Sequence, residues 1–296
     1  MLAIIIPYYK LTFFEATLQS LAAQTCQDFK VYIGDDASVE DPSMLLEGYK
    51  GKFDFVYHRF ATNLGGVSLT QQWERCIALS GNEEWLMVLG DDDVLGSNVV
   101  EAFYEKLEEI KQNGCNVIRF ATQIINGEGK SISEVYEHPK LENATDAFWR
   151  RINGDTRSSL SEYFFSRVTY SKYGFKDYPL AWHSDDMAWL EFADGQPIFS
   201  ISNTVLYIRM SSLNISGKED NLALKKEASY FFYESIAADY LSYFDKKQRI
   251  KLLAKIESKF FEQKQKVLFF EIVRYHLKYT TLLDLTKFFR RIYINI

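Results

Sequence analysis

Apolar residues gather in five short runs over the first 121 positions: Leu2–Ile6, Lys30–Ile33, Phe53–Tyr57, Trp85–Leu89 and Val117–Ala121. Runs of four or five residues bounded by turn signals predict strands, and the wholly apolar Trp85–Leu89 predicts a fully buried one. Between the first two, Phe14, Leu18 and Leu21 recur at helical spacing, and Thr12 with Glu15 has the spacing of a capping box. A second helix is predicted after the fourth run. Ser97 is its expected cap, Val100, Phe103, Leu107 and Ile110 its buried stripe, and Gly114 its stop. Strands alternating with helices predict a mostly parallel sheet covered on both faces, with ligands outside the carboxyl ends of its strands.

Beyond residue 121 the pattern changes. Ile125–Lys130 is polar and glycine-bearing and reads as a turn or hairpin; Ser161–Phe165 and Asp185–Ala193 read as helical, and Pro197–Ile208 as a strand. From Leu222 onward the periodicity is helical, with Leu252, Ile256, Phe260 and Phe261, then Val267, Phe270 and Ile272, set between lysines. The expected organisation is an α/β domain over residues 1–215 and a helical C-terminal region over 216–296. The first divides into two halves, the regular strand–helix alternation of 1–121 and the mixed pattern of 122–215.

Composition adds three constraints. The hydrophobic share of 47% and charged share of 25% are those of a globular chain. Cys26, Cys76 and Cys115 form no C-x-x-C pair, which disfavours a disulfide framework or zinc site and suits a reducing compartment. The opening Met1–Pro7 reads as a strand rather than a signal peptide, and no apolar run nears the roughly 20 residues of a membrane span, so a soluble or peripheral cytoplasmic protein is expected. The net charge of -6 is uneven: residues 245–296 hold 13 Lys and Arg against 5 Asp and Glu. A basic tail behind an acidic body argues against nucleic acid and for contact with an anionic surface.

The candidate chemistry lies where strands end. The fourth run delivers Asp91, Asp92 and Asp93, whose mutual repulsion calls for a cation or hydrogen-bond donors, and whose oxygens suit Mg²⁺ or Mn²⁺ with substrate phosphates. Pro7–Tyr9 follows the first strand, Gly34–Ser38 the second and Asn63–Gly66 the third. Singly, each reads as an ordinary turn or helix cap. Their force is that all fall at one edge of one sheet.

In that order the motifs resemble family 2 glycosyltransferases of the GT-A fold. The carriers are Ile4–Tyr9, Leu18–Thr25, Ile33–Ser38, Asn63–Gly66, Leu89–Asp93, Gly174–Phe175, His183–Leu190 and Leu206–Arg209. The resemblance implies an inverting, metal-assisted transfer of a sugar from a nucleotide-diphosphate donor, UDP-linked by expectation. The acceptor it implies is a hydroxyl of a cell-surface glycan or lipid-linked oligosaccharide, as in cell-envelope polysaccharide synthesis. It implies donor contacts at Pro7, Tyr9, Asp35, Asp36, Asn63, Gly65, Asp91 and Asp92, metal ligation at Asp92 and Asp93, and a base at Asp186 beside Asp185. Capping of the next helix is the plain alternative for that pair. Gly90 stands where the family commonly has a first acidic residue, and Met210–Asn214 holds no histidine, which points to a weaker metal dependence. A nucleotidyltransferase is disfavoured, because Pro7–Lys10 is not a glycine-rich basic loop. The other alternative is a degenerate nucleotide-sugar-binding or scaffolding domain. The sequence leaves sugar, acceptor and oligomeric state open, a homodimer included, and offers the basic C-terminal helices as a peripheral membrane contact.

Overall fold

Apolar runs too short for helices and flanked by glycine or polar turns settle here into one nine-stranded sheet. The computed structural model describes residues 1–213, 221–263 and 266–295. In chain order, β1 (Leu2–Tyr8), α1 (Phe14–Ala22), β2 (Phe29–Asp35), α2 (Ser43–Glu47), β3 (Asp54–Arg59), α3 (Leu69–Ile77) and β4 (Trp85–Val88) form the first half. There follow β5 (Val94–Leu95), α4 (Val99–Gln112), β6 (Val117–Ile125), β7 (Leu141–Asn143), α5 (Ala144–Asn153), β8 (Tyr163–Ser166), α6 (Arg167–Tyr173), α7 (Ser184–Phe192) and β9 (Pro197–Arg209). The strand order is β3-β2-β1-β4-β8-β6-β9-β5, with β7 also paired to β9.

The parallel character is concentrated in the first half, where β1 pairs with β2 and β4, and β2 with β3, all in parallel. Beyond it β8 runs antiparallel to both β4 and β6, while β6 and β9 are parallel. The core carries Ile4, Ile6, Val31, Ile33, Met87 and Leu89 against Leu18, Leu21, Val100 and Phe103. Because β1, β2 and β4 point the same way, their carboxyl ends lie side by side.

Three local expectations are corrected. The helix foreseen over Ser161–Phe165 is a short 3₁₀ turn followed by β8, since Tyr163, Phe164 and Phe165 are all buried and fill a strand between two others. The capping box of Thr12 and Glu15 does not form: α1 starts at Phe14 behind Phe13 with no side-chain cap bond. Ser97 is not the cap of α4; Asn98 holds that place, and the Ser97 carbonyl accepts from Thr25 N. The hairpin at 125–130 is present, with Asn126 N donating to Lys130 O at 2.9 Å.

The chain separates into two compact units, Met1–Asp177 with Ser184–Asp220, and Tyr178–His183 with Asn221–Ile296. The expected boundary at residues 215 and 216 lies outside the described residues, as do the side chains of Phe260 and Val267. The second unit is helical: α8 (Leu222–Ser235), α9 (Lys246–Gln263), α10 (Lys266–Tyr279) and α11 (Leu282–Asn295). Inside it, buried Glu257 meets His276 Nε2 at 2.6 Å and pairs with Arg291, tying α9, α10 and α11 together.

Candidate active site

The carboxyl end of β1 is tied to its two neighbours by specific hydrogen bonds. Asp36 N donates to Tyr8 O at 3.1 Å, and Ser38 Oγ to Tyr9 O at 2.6 Å, binding the β1 and β2 loops. Asp91 Oδ2 accepts from Tyr9 N at 2.8 Å and Lys10 N at 2.9 Å, binding the β4 loop to the same turn. The ring of Tyr9 stays exposed while Tyr8 is fully buried, so one aromatic anchors the loop and the other presents a face to solvent.

Asp35 and Asp36 have different surroundings. Asp35 is fully buried at the end of β2, accepting from Ser38 N at 2.8 Å, Tyr57 OH at 2.6 Å and Arg59 at 3.0 Å. Asp36 sits one residue further out and accepts from Leu64 N at 2.7 Å and Gly65 N at 2.9 Å. Arg75 of α3 also pairs with it, its guanidinium stacked 3.9 Å over the Phe60 ring. A Cβ at Gly65 would lie 2.6 Å from Asp36 Oδ2, so the approach needs glycine. Asn63 closes the loop through Gly66 N at 2.6 Å.

The three adjacent carboxylates also divide. Asp93 is buried and each oxygen accepts a bond, Oδ1 from Arg209 N at 2.8 Å and Oδ2 from Ser161 Oγ at 2.5 Å. Asp92 is half-buried, and among the described residues its carboxylate has no hydrogen bond or ion pair to another side chain. Burial raises Asp91 to about 6 despite its two N–H donors. Asp92 and Asp93 are raised too, by burial first, with the Asp93 and Asp91 charges next for Asp92. This is a cluster short of positive charge. Among the described residues no group of three or more His, Cys, Asp or Glu side chains is arranged to hold a metal ion. One open carboxylate with a second beside it fits a Mg²⁺ or Mn²⁺ ion that draws most of its shell from substrate phosphates and water.

Asp185 and Asp186 occupy the first turn of α7, where the helix dipole favours negative charge. Asp186 is buried, with Oδ1 3.2 Å from Arg151 Nε of α5. Half-buried Asp185 is raised to about 7, by burial and then by the Asp186 charge, with Arg151 opposing. Backbone strain marks both carboxylate pairs: of the five non-glycine residues with positive φ among those described, Ala37 follows Asp36, and Leu180, Ala181 and His183 precede Asp185. Such conformations cost about 1–3 kcal/mol each and collect at functional sites.

A buried ionic core underlies this half of the sheet. Arg119 Nε meets Glu162 Oε1 at 2.8 Å and Arg157 meets Oε2 at 3.0 Å, with Arg119 and Glu162 fully buried. It fixes the 157–162 segment from which Ser161 reaches Asp93 and Gly90 N.

The sequence-read residues Tyr9, Asp36, Gly65 and Asp91 thus share one network, and Asp92 and Asp93 adjoin it; Pro7 lies within β1, in register with Gly34. Arg209 is tied down rather than open to a ligand. It donates to Asp92 O at 2.8 Å and Asn126 O at 2.9 Å, and it packs over Phe13. His183 stacks on Phe232 at 4.4 Å and meets Ser229 at 3.1 Å, a structural role. Sequence reading missed Arg75, Arg151 and Ser161. Arg75 alone left a signal, a cation one helical turn after Gln72 on the helix that follows the Asn-x-Gly-Gly loop.

The sequence model of the family described as Glycosyl transferase family 2 matches residues 3–172. No curated protein sequence matches the chain. The fold is similar to crystal structures of TarS residues 1–349 from S. aureus. The complex with UDP-GlcNAc superposes with a TM-score of 0.65 at 14% identity, covering 92% of this chain and 78% of that one. The complex with UDP gives 0.63 at 14% identity, covering 88% and 72%.

Proposed function

This chain belongs to glycosyl transferase family 2, and on that premise we propose that it transfers a sugar from a UDP-sugar to a hydroxyl, inverting the anomeric centre. The acceptor in this proposal is a cell-surface glycan or lipid-linked oligosaccharide, met on the cytoplasmic side of a membrane. One observation carries the reading: Tyr9, Asp36, Gly65 and Asp91 are interlocked at one sheet edge, beside an under-compensated trio of carboxylates. The UDP and UDP-GlcNAc complexes of structures with this fold support the choice of nucleotide.

Tyr9 stacks on the base and Asp36 accepts from it, held in place by Leu64 N, Gly65 N and Arg75. Pro7, Asp35 and Asn63 hold the walls, and Asp91 fixes the β1 turn. Asp92 is the first ligand for a divalent cation; Asp93, with one fold-supplied bond on each oxygen, is the second. When bound, that cation neutralises charge growing on the diphosphate leaving group. The Asp185–Asp186 pair takes the proton of the attacking hydroxyl. Arg151 pairs with Asp186 at 3.2 Å, and burial beside the Asp186 charge raises Asp185 to about 7, near neutrality, where a general base works best.

A thermal-shift series with UDP, GDP, CDP and dTDP, each with and without Mn²⁺, tests this. Cation-enhanced stabilisation by UDP alone is expected, because a ligand that binds only the folded state raises the melting temperature. No shift with any nucleotide would replace this reading with a scaffolding domain.

A further inference from the structure

Helix α11 is apolar on two faces. Leu285 and Phe288 are buried and Ile292 half-buried, one stripe spent inside the helical unit. On another face Leu282, Phe289 and Tyr293 recur at intervals of seven and four, 75%, 43% and 86% exposed. At 100° per residue these three fall within about 40° of one another, a continuous ridge along the helix. To one side of it, about 80–140° round the helix, Arg290, Leu283, Ile294 and Lys287 are exposed in that order. On α10, Phe270 and Leu277 are likewise exposed and seven residues apart, and Lys278 is exposed one position on. A helix in a small bundle needs one apolar stripe; a second, solvent-facing one marks an interaction surface.

Charge identifies the occupant. Across α10 and α11 the sequence holds six cations, Lys266, Arg274, Lys278, Lys287, Arg290 and Arg291, against Glu271 and Asp284, and of the six Arg291 is already paired with Glu257 of α9. Both carboxylates already face cations, Glu271 with Arg274 at 3.5 Å and Asp284 with Lys287 at 3.6 Å. A second copy would bring the same excess of cations against this face, whereas anionic head groups would neutralise it. Phe, Tyr and Leu beside Lys and Arg is the composition of helices that lie in the plane of a lipid interface. No helix among the described residues is long and apolar enough to cross a membrane, so this surface would rest on one.

We infer that the Leu282–Phe289–Tyr293 ridge of α11, with Lys287 and Arg290, docks the protein on an anionic lipid surface. The inference rests on the transferase reading only for its purpose, delivery of the site to a membrane-borne acceptor; the docking is tested independently.

Co-sedimentation of the full chain with phosphatidylcholine vesicles, with and without phosphatidylglycerol, measures the docking. Binding to the anionic vesicles at least ten-fold tighter than to neutral ones, and weakened by raised salt, is expected. The triple variant Leu282→Ser, Phe289→Ser, Tyr293→Ser, and separately Lys287→Glu with Arg290→Glu, should each cut that binding at least ten-fold. Both change exposed side chains and should leave the circular dichroism and the UDP thermal shift unchanged. Equal or absent binding to both vesicle types would overturn the inference. So would self-association of the wild type, seen by light scattering and abolished by the triple variant. A protein that binds vesicles but not UDP would instead refute the donor-site proposal and leave the docking standing.

Discussion

Replacing Asp185 by Asn should stabilise the protein at pH 8 and leave it unchanged near pH 4. The folded protein raises this carboxyl from 3.8 to about 7, through burial and the neighbouring Asp186 charge. A raised folded value means the folded state binds the proton more tightly. The associated stability is fully present below the unfolded value and is lost as pH rises through the folded one. About three units at 1.36 kcal/mol each sets a ceiling of about 4 kcal/mol lost between pH 4 and 8. Residual solvent contact at this half-buried group reduces that to about 2 kcal/mol. Asn cannot titrate, so the stability difference between variant and wild type should grow by that amount over this range. Urea unfolding of both proteins at pH 4.5, 6 and 8 measures it, and a difference independent of pH would refute the reasoning. The same substitution bears on catalysis. With the neighbouring charge gone, the acid limb of the transfer rate should move to lower pH, while transfer persists.

Asp186→Asn should cut transfer by about 10²–10⁴-fold, the usual contribution of a general base, while sparing UDP binding; full transfer in this variant would move the base elsewhere. Gly65→Ala forces a Cβ to within 2.6 Å of Asp36 Oδ2. UDP affinity, read by calorimetry, should fall at least ten-fold with the fold retained, and an unchanged affinity would remove Asp36 from the donor site. Glu162→Gln leaves Arg119 buried against a neutral partner and should cost about 3–5 kcal/mol in urea unfolding; a cost within 1 kcal/mol would show the buried pair to be dispensable.

The first half of the fold was legible because β1, β2 and β4 are buried on both faces and write themselves as apolar runs, while β3 is a largely exposed edge strand. Trp85–Val88 and Leu2–Tyr8 lie within a residue or two of their expected ends. Tyr163–Ser166 was misread because three buried aromatics and a serine carry no period; only pairing with β4 and β6 makes them a strand. The site was legible where loops end strands, at Tyr9, Asp36, Gly65 and Asp91–Asp93. It was illegible where a partner arrives from a distant element. Arg75, Arg151 and Ser161 reach Asp36, Asp186 and Asp93 across 39, 35 and 68 positions of chain, which no local pattern encodes.

Backbone hydrogen exchange with and without UDP and Mn²⁺ tests the central claim most directly, because backbone N–H groups of the proposed donor-site loops hold its carboxylates in place. Protection is expected together in segments 7–10, 34–38, 63–66 and 89–93, the three loops and the carboxylate turn. Protection confined to any other part of the chain, or none at all, would contradict a donor site at this sheet edge.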